Sequence, residues 1–196
     1  MSLILASSSP FRKAILDKLG LNFEVVAPEI NEDRRVNESP IDLVTRLSKE
    51  KAVAVAKSKT GLIIASDQVA TLDTGYKAND SILTKPGSHE NAFLQLKKSS
   101  GKTVNFLTGL VLMNTKNLNT QVHVEHFKVL FKTLSDNQIL KYLSKEDVLN
   151  CAGSFKSEGL GIALFTEMEG NDPNSLIGLP TIQLIDMLAK ENVHVL

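Results

Sequence analysis

The run Leu62-Ile63-Ile64-Ala65 constrains the folding of this chain more than any other segment. It follows Gly61, carries no polar side chain and ends against Ser66-Asp67-Gln68-Val69, so it predicts a buried strand with Asp67 at its carboxyl end. The rest of the sequence alternates strand-like with helix-like segments, which places the chain in the α/β or α+β class. Leu3-Ile4-Leu5 and Phe23-Glu24-Val25-Val26 read as short strands. Between them, Ser8 or Ser9 caps a helix with Pro10 at its first position and Gly20 at its close. Ser39-Pro40 opens a second helix, with Asp42 as a capping-box variant and an apolar stripe through Leu43, Leu47 and Ala54.

The polar stretch from Asp73 to Thr84 reads as an exposed loop, and Ser88 to Lys98 as a helix stopped near Gly101. Two β-rich runs, Thr103 to Asn114 and Gln121 to Thr133, form a predicted hairpin of extended strands. Ser135 with Gln138 makes a capping box for a helix toward Leu143. A Gly-rich segment, Gly153 to Gly161, leads to a predicted strand at Ile162-Ala163-Leu164-Phe165. Pro180 begins the last helix, with Ile182, Ile185 and Leu188 on its apolar face.

A length of 196 residues fits one domain, or one compact unit with two lobes. Lys plus Arg and Asp plus Glu stand at 22 each, and zero net charge argues against a general nucleic-acid binder, whose affinity rests on a basic face. The one cysteine, Cys151, cannot form an internal disulfide and points to a reducing compartment. The apolar start, Met1 to Ala6, is too short for a signal sequence. No stretch approaches the roughly 20 apolar residues of a membrane span. These features predict a soluble, cytoplasmic protein without a membrane partner.

Several residues are candidates for chemistry. In Ser7-Ser8-Ser9-Pro10-Phe11-Arg12-Lys13 a strand ends, hydroxyls follow and a helix begins, so free N–H groups, Ser7, Ser8 and Arg12 suit a phosphate; an ordinary capped helix with a solvated cation pair uses the same residues. Asp67 stands where α/β proteins bind ligands, a place that turn-forming aspartates also occupy. Glu29, Glu32 and Asp33 form an acidic loop, either solvated or able to offer a carboxylate to a hard divalent cation. Lys51 lies mid-helix and Lys85 precedes Pro86; each is a surface lysine unless its neighbours say otherwise. The four histidines show no metal-ligand or catalytic spacing.

Taken together these residues resemble the Maf family. The matching motifs are Ser7-Ser8-Ser9-Pro10-x-Arg12, Glu32, Arg46-x-x-x-Glu50-Lys51-Ala52, Ser66-Asp67-Gln68-Val69, Lys85-Pro86 and Thr108-Gly109. Gly153-Ser154-Phe155-x-x-Glu158-Gly159-x-Gly161 and the tail Asn171 to Pro180 complete the set, which runs nearly from end to end. The resemblance implies an elongated ITPase-like α/β fold, a mixed sheet flanked by helices with a cleft between two lobes. It implies hydrolysis of a nucleoside triphosphate to monophosphate and pyrophosphate with a divalent metal (Mg²⁺, Mn²⁺ or Co²⁺), in a homodimer. Asp67, Lys51 and Lys85 then form the catalytic set, with Asp67 accepting a proton through the metal and sharing it with Glu32. Ser7, Ser8, Phe11, Arg12, Gln68 and Glu158 become substrate-binding residues. The family's link to septum formation keeps a non-enzymatic nucleotide-binding regulator as a rival reading.

The segment Cys151 to Gly159, with Glu158, resembles the group acting on 7-methylguanosine triphosphate; relatives acting on uridine and thymidine triphosphates usually carry Gln there. Guanine presents two adjacent donors that one carboxylate accepts, whereas uracil's acceptor–donor–acceptor edge suits a mixed amide. A methylated, cationic guanine also favours an aromatic face, which Phe11 supplies where Trp is expected. A longer Asp73–Thr84 segment is a second departure from the pattern. A pyrimidine or broader nucleotide pyrophosphatase is the alternative within the same chemistry.

Overall fold

The strands β1 (Leu3–Ala6), β2 (Glu24–Val26), β3 (Leu62–Thr71), β4 (Thr103–Asn114), β5 (Thr120–Phe131) and β6 (Phe165–Glu169) form one mixed sheet. Their order is β2-β1-β3-β4-β5-β6 in a computed structural model that describes residues 2–196. Met1, grouped above with the apolar amino terminus, lies outside the described residues. β1 runs parallel to both β2 and β3, and the pairs from β3 to β6 are antiparallel. Helices α1 (Pro10–Asp17), α2 (Pro40–Ala56), α3 (His89–Ser99), α4 (Asp136–Leu143), α5 (Pro173–Ile177) and α6 (Thr181–Lys190) flank the sheet.

Helix starts follow local chemistry. Ser9, Ser39 and Ser88 each accept a first-turn N–H, and Pro10 and Pro40 occupy positions where no N–H is needed. Ser135 and Gln138 bond reciprocally at the start of α4.

Three elements depart from the sequence reading. β3 does not end at Asp67; it runs on to Thr71 because β4 pairs with its whole length, Asp67 standing opposite Gly109. Its pairing with β1 stops at Ala65, so Asp67 lies just past the end of the parallel part of the sheet. The predicted strand from Ile162 is a 3-10 turn over Leu160–Leu164, and the strand starts at Phe165. There the N–H groups of Gly159 and Gly161 both donate to the Lys156 carbonyl, which coils the segment before it reaches β5. In α6 the buried apolar residues are Leu184, Met187 and Leu188, while Ile185 is half-buried and Ile182 exposed. Asp172 accepts from the Ile182 N–H at 2.8 Å and from the Thr181 hydroxyl, and this anchor sets the rotation of the helix.

Alternation along the strands splits the core. Ile4, Ala6, Ile63, Ala65 and Val111 pack on Ala52 and Val55 of α2. Leu3, Leu5, Leu62, Ile64, Leu110 and Leu112 pack on α1 and α6 from the other side. Farther along β3–β5 an aromatic-rich cluster forms around Phe106, Phe127, Phe131, Phe155 and Phe165, covered by α3 and α4. A cleft of about 800 Å³ opens among these clusters, lined by residues of β3, β4, α1, α2 and the loops around them.

The Asp73–Thr84 segment is only partly the exposed loop expected of it. It folds around the buried Asp80, whose carboxylate accepts the N–H of Gly75 at 2.6 Å and of Lys77 at 3.2 Å. Buried Leu83 then donates its N–H to the Ala70 carbonyl, returning the chain to β3 just before Lys85.

Candidate active site

β3 and α2 build the centre of the cleft. The two-residue period of β3 turns Asp67 toward α2 and turns Ser66 and Gln68 to the opposite face. Lys51 and Ser48, three residues apart on α2, share the face that meets the sheet. Close approach is possible because Gly109, beside Asp67, has no side chain: a Cβ there would lie 2.6 Å from both Ser48 Oγ and the Val44 carbonyl oxygen. Lys51 thereby reaches Asp67 in the middle of β3. Its Nζ donates to Asp67 Oδ1 at 2.5 Å and lies 2.7 Å from Glu32 Oε1.

Lys51 and Asp67 are buried, whereas Glu32 is exposed on the loop between β2 and α2. Burial alone would raise the Glu32 carboxyl. The hydrogen bond and charge of Lys51, with Lys85 and Arg12 beyond it, outweigh that effect and hold Glu32 below its ordinary range. Burial draws the Arg12 guanidinium below its ordinary value, opposed by the charges of Asp67 and Glu32. The candidates Arg12, Glu32, Lys51, Asp67 and Lys85 therefore share one electrostatic neighbourhood.

The opposite face of β3 holds the carboxyl-terminal tail. Ser66 Oγ donates to the Gly178 carbonyl at 2.9 Å, and Arg12 Nε donates to the same oxygen at 2.8 Å. Gly178 has φ 120°, a conformation that favours glycine, so the tail can present this carbonyl to both donors. Gln68 Nε2 donates to the Ser175 carbonyl at 2.7 Å and to Thr108 Oγ1 at 3.0 Å. The Gln68 amide nitrogen is thus a tether for α5 instead of a free donor in the cleft. Ser7 is buried, its Oγ accepting the Ser9 N–H at 3.1 Å and facing Arg12 at 3.5 Å. Ser8 is exposed and lines the cleft beside Phe11.

Phe11, Lys156 and Glu158 also line the cleft. Lys156 Nζ stands 6.0 Å from the Phe11 ring centroid and 3.9 Å from Glu146 Oε2. Glu158 is exposed, and Ser157 Oγ lies 3.4 Å from its Oε2. Cys151 also lines the cleft as a free, half-buried thiol; burial pushes it up to about 11 although Lys156 opposes. The His123 ring pairs with Glu125 and the His126 ring with Asn105, away from the cleft.

The sequence profile described as "Maf-like protein" matches residues 2–191. The chain belongs to the Maf family. It is 52% identical over 195 residues to a Pseudoalteromonas atlantica protein named 7-methyl-GTP pyrophosphatase, covering 100% of this chain and 97% of that one. A protein of the same name from Alcanivorax borkumensis is 52% identical over 194 residues, covering 98% and 95% of the two chains. The Staphylococcus aureus Ham1 protein superposes with a TM-score of 0.53 at 11% identity, over 98% of this chain and 100% of that one, so the α/β fold is of the Maf/Ham1 type.

In this Maf protein most of the sequence motifs contribute to the walls of one cleft, while Thr108-Gly109 packs on Ser175 and α2 instead. What motif reading missed is how those walls are held: by the backbone carbonyls of Ser175 and Gly178, and by Lys156 beside Phe11. Backbone carbonyls carry no sequence signal, and a lysine next to a motif looks like any surface cation.

The carboxylates of Glu32 and Asp67 converge on one positive charge, and their hard oxygens fit a divalent cation that takes its other ligands from water and substrate phosphates. Among the described residues no group of three or more His, Cys, Asp and Glu side chains forms a metal cluster. No helix among them is long and apolar enough to cross a membrane.

Proposed function

We propose that this Maf protein is a nucleoside triphosphate pyrophosphatase that hydrolyses 7-methyl-GTP to 7-methyl-GMP and pyrophosphate. The observation that carries the reading is the Lys51 ammonium bound to Asp67 and Glu32, in a cleft that Phe11 and Glu158 also line. The names of its close relatives point to the same substrate.

Attack on the α-phosphorus needs an oriented water, a proton acceptor and neutralised phosphate charge. Asp67 is the acceptor, taking the proton at its carboxylate. Lys51 holds Asp67 in place and, with Arg12 and Lys85, offsets the charge of the triphosphate. Ser8 and the N–H groups at the start of α1 hold phosphate oxygens, and Ser7 keeps Arg12 aligned. Gln68 acts on substrate through α5, which it tethers. A divalent cation held by Glu32 and Asp67 supplies an acidified water and further charge neutralisation when bound.

Glu158 accepts N1–H and the exocyclic amine of guanine with its two oxygens, and Phe11 offers its face to the cationic base. Residues 1–196 act as one unit with a lobe on each side of the cleft, in a cytoplasmic homodimer. Pyrophosphate release from 7-methyl-GTP, GTP, UTP and dTTP with Mg²⁺, Mn²⁺ or Co²⁺ tests the assignment. Highest kcat/KM for 7-methyl-GTP is expected; a preference for UTP or dTTP would overturn the base assignment, and no release from any of them the enzymatic one.

A further inference from the structure

Of the five charged groups that share the Lys51–Asp67 neighbourhood, Glu32 and Lys85 are the two exposed ones, and neither lies on a helix or strand. Glu32 belongs to the loop between β2 and α2. Lys85 follows the turn-rich segment from Asp73 to Thr84. Lys51 touches Glu32 but not the second segment, so it does not by itself explain how the two loops keep register.

One guanidinium joins them. Arg34, two residues after Glu32, donates from Nε to the Glu38 carbonyl at 2.7 Å, closing its own loop. From its other two nitrogens it donates to the Asp80 carbonyl at 2.8 Å and to the Ala78 carbonyl at 3.0 Å. Three carbonyls from two separate segments are thus gathered on one planar fork, a geometry that an ammonium cannot reproduce.

Each side of the joint is braced. Glu38 is held by Arg46 through paired contacts of 2.6 and 2.9 Å, and its carboxylate also accepts the Arg35 N–H at 2.9 Å. Arg46 further donates to the Asp33 carbonyl at 2.9 Å, fixing the residue next to Glu32 onto the helix that carries Lys51. Opposite, the buried Asp80 carboxylate gathers Thr74, Gly75 and Lys77, which aims the carbonyls of Ala78 and Asp80 outward at Arg34. The path from Asp80 to Lys85 is short and is pinned midway by the Leu83–Ala70 backbone bond.

We propose that Arg34 is a positioning residue: it locks the loop bearing Glu32 to the segment bearing Lys85, so that the acid and the cation meet the substrate as one preset pair. This rests on the assignment of Glu32 and Lys85 to the pyrophosphatase site. Arg34 touches no reacting atom. Its loss leaves Asp67 and Lys51 intact and loosens only the two exposed partners.

The test combines hydrogen exchange with kinetics on Arg34→Met. Amides in 28–38 and 73–85 should lose protection together, while those of α2 and β3 keep theirs. With 7-methyl-GTP, at a temperature where wild type and variant are fully folded, kcat should fall about tenfold and the Mg²⁺ concentration for half-activation should rise several-fold. Arg34→Lys, which keeps the charge without the fork, should recover only part of either effect, and it carries the same readouts if the Met variant fails to fold. Loss of protection confined to one segment, or unchanged kcat and Mg²⁺ half-activation, overturns the proposal. A wild-type protein without pyrophosphatase activity refutes the functional assignment instead, and the exchange data then decide the lock alone.

Discussion

Within the cleft Lys51 and Asp67 are buried on α2 and β3, whereas Glu158 is exposed on the turns after Phe155. The buried pair is placed by regular elements, whose closeness Gly109 permits, and needs no substrate to organise it. The proposed base site consists of a half-buried ring, a lysine poised over it and a carboxylate open to solvent. In the proposed reading the proton acceptor and its lysine sit on regular elements, while Glu158 sits on a turn where a side chain can change without moving that pair; Phe11 on α1, and Glu32 and Lys85 on loops, fall between the two.

The strongest challenge to that contrast is Asp67→Asn, which keeps the shape of the buried pair but removes the proposed proton acceptor. We expect kcat to fall by about 10³-fold, as for loss of a general base, with the thermal midpoint little changed. Pyrophosphate release near the wild-type rate would end the catalytic assignment. Gly109→Ala attacks the support instead of the chemistry. The added Cβ, 2.6 Å from Val44 and Ser48 atoms, should push α2 away, cost about 1–3 kcal/mol of stability in urea unfolding and lower kcat up to about 100-fold. Base preference, measured as the ratio of kcat/KM for 7-methyl-GTP and UTP, should stay the same; a shift in that ratio would show that the two regions are coupled.

Glu158→Gln probes the base site with a smaller expected effect. Its kcat/KM for 7-methyl-GTP should drop about tenfold, consistent with one charged hydrogen bond, while the Lys51–Asp67 pair and the fold are unaffected. An unchanged substrate profile would remove Glu158 from base recognition. The mildest perturbation is acid. The Arg46 hydrogen bond, reinforced by Arg35, brings the Glu38 carboxyl down from 4.5 to about 2. A folded-state value below the unfolded one means that this contribution is complete above about pH 4.5 and is lost as pH falls through about 2. Acid unfolding followed by circular dichroism should show that component, and Glu38→Gln should lack it.

The local features of the chain were legible because they are written in neighbouring residues. Ser9 before Pro10, Ser39 before Pro40 and Ser135 with Gln138 name the helix starts, since a capping oxygen and its N–H lie within a few positions. The hairpin of β4 and β5 was equally visible. Less visible were the continuation of β3 past Asp67, the coiling before Phe165 and the rotation of α6. Each was set by a distant partner: β4 opposite Asp67, the Lys156 carbonyl, and Asp172.

The same division runs through the site. From sequence alone came the family motifs, the order of the elements and the candidates Ser8, Arg12, Glu32, Lys51, Asp67, Lys85 and Glu158. Only the tertiary structure decided that Lys51 reaches both Asp67 and Glu32, that Gln68 spends its amide nitrogen on α5, and that Arg34 ties two loops together. The reason is physical. A cap or a buried strand depends on residues next to one another along the chain, whereas these contacts depend on how closely α2 approaches the sheet and where two loops cross, distances that packing alone sets.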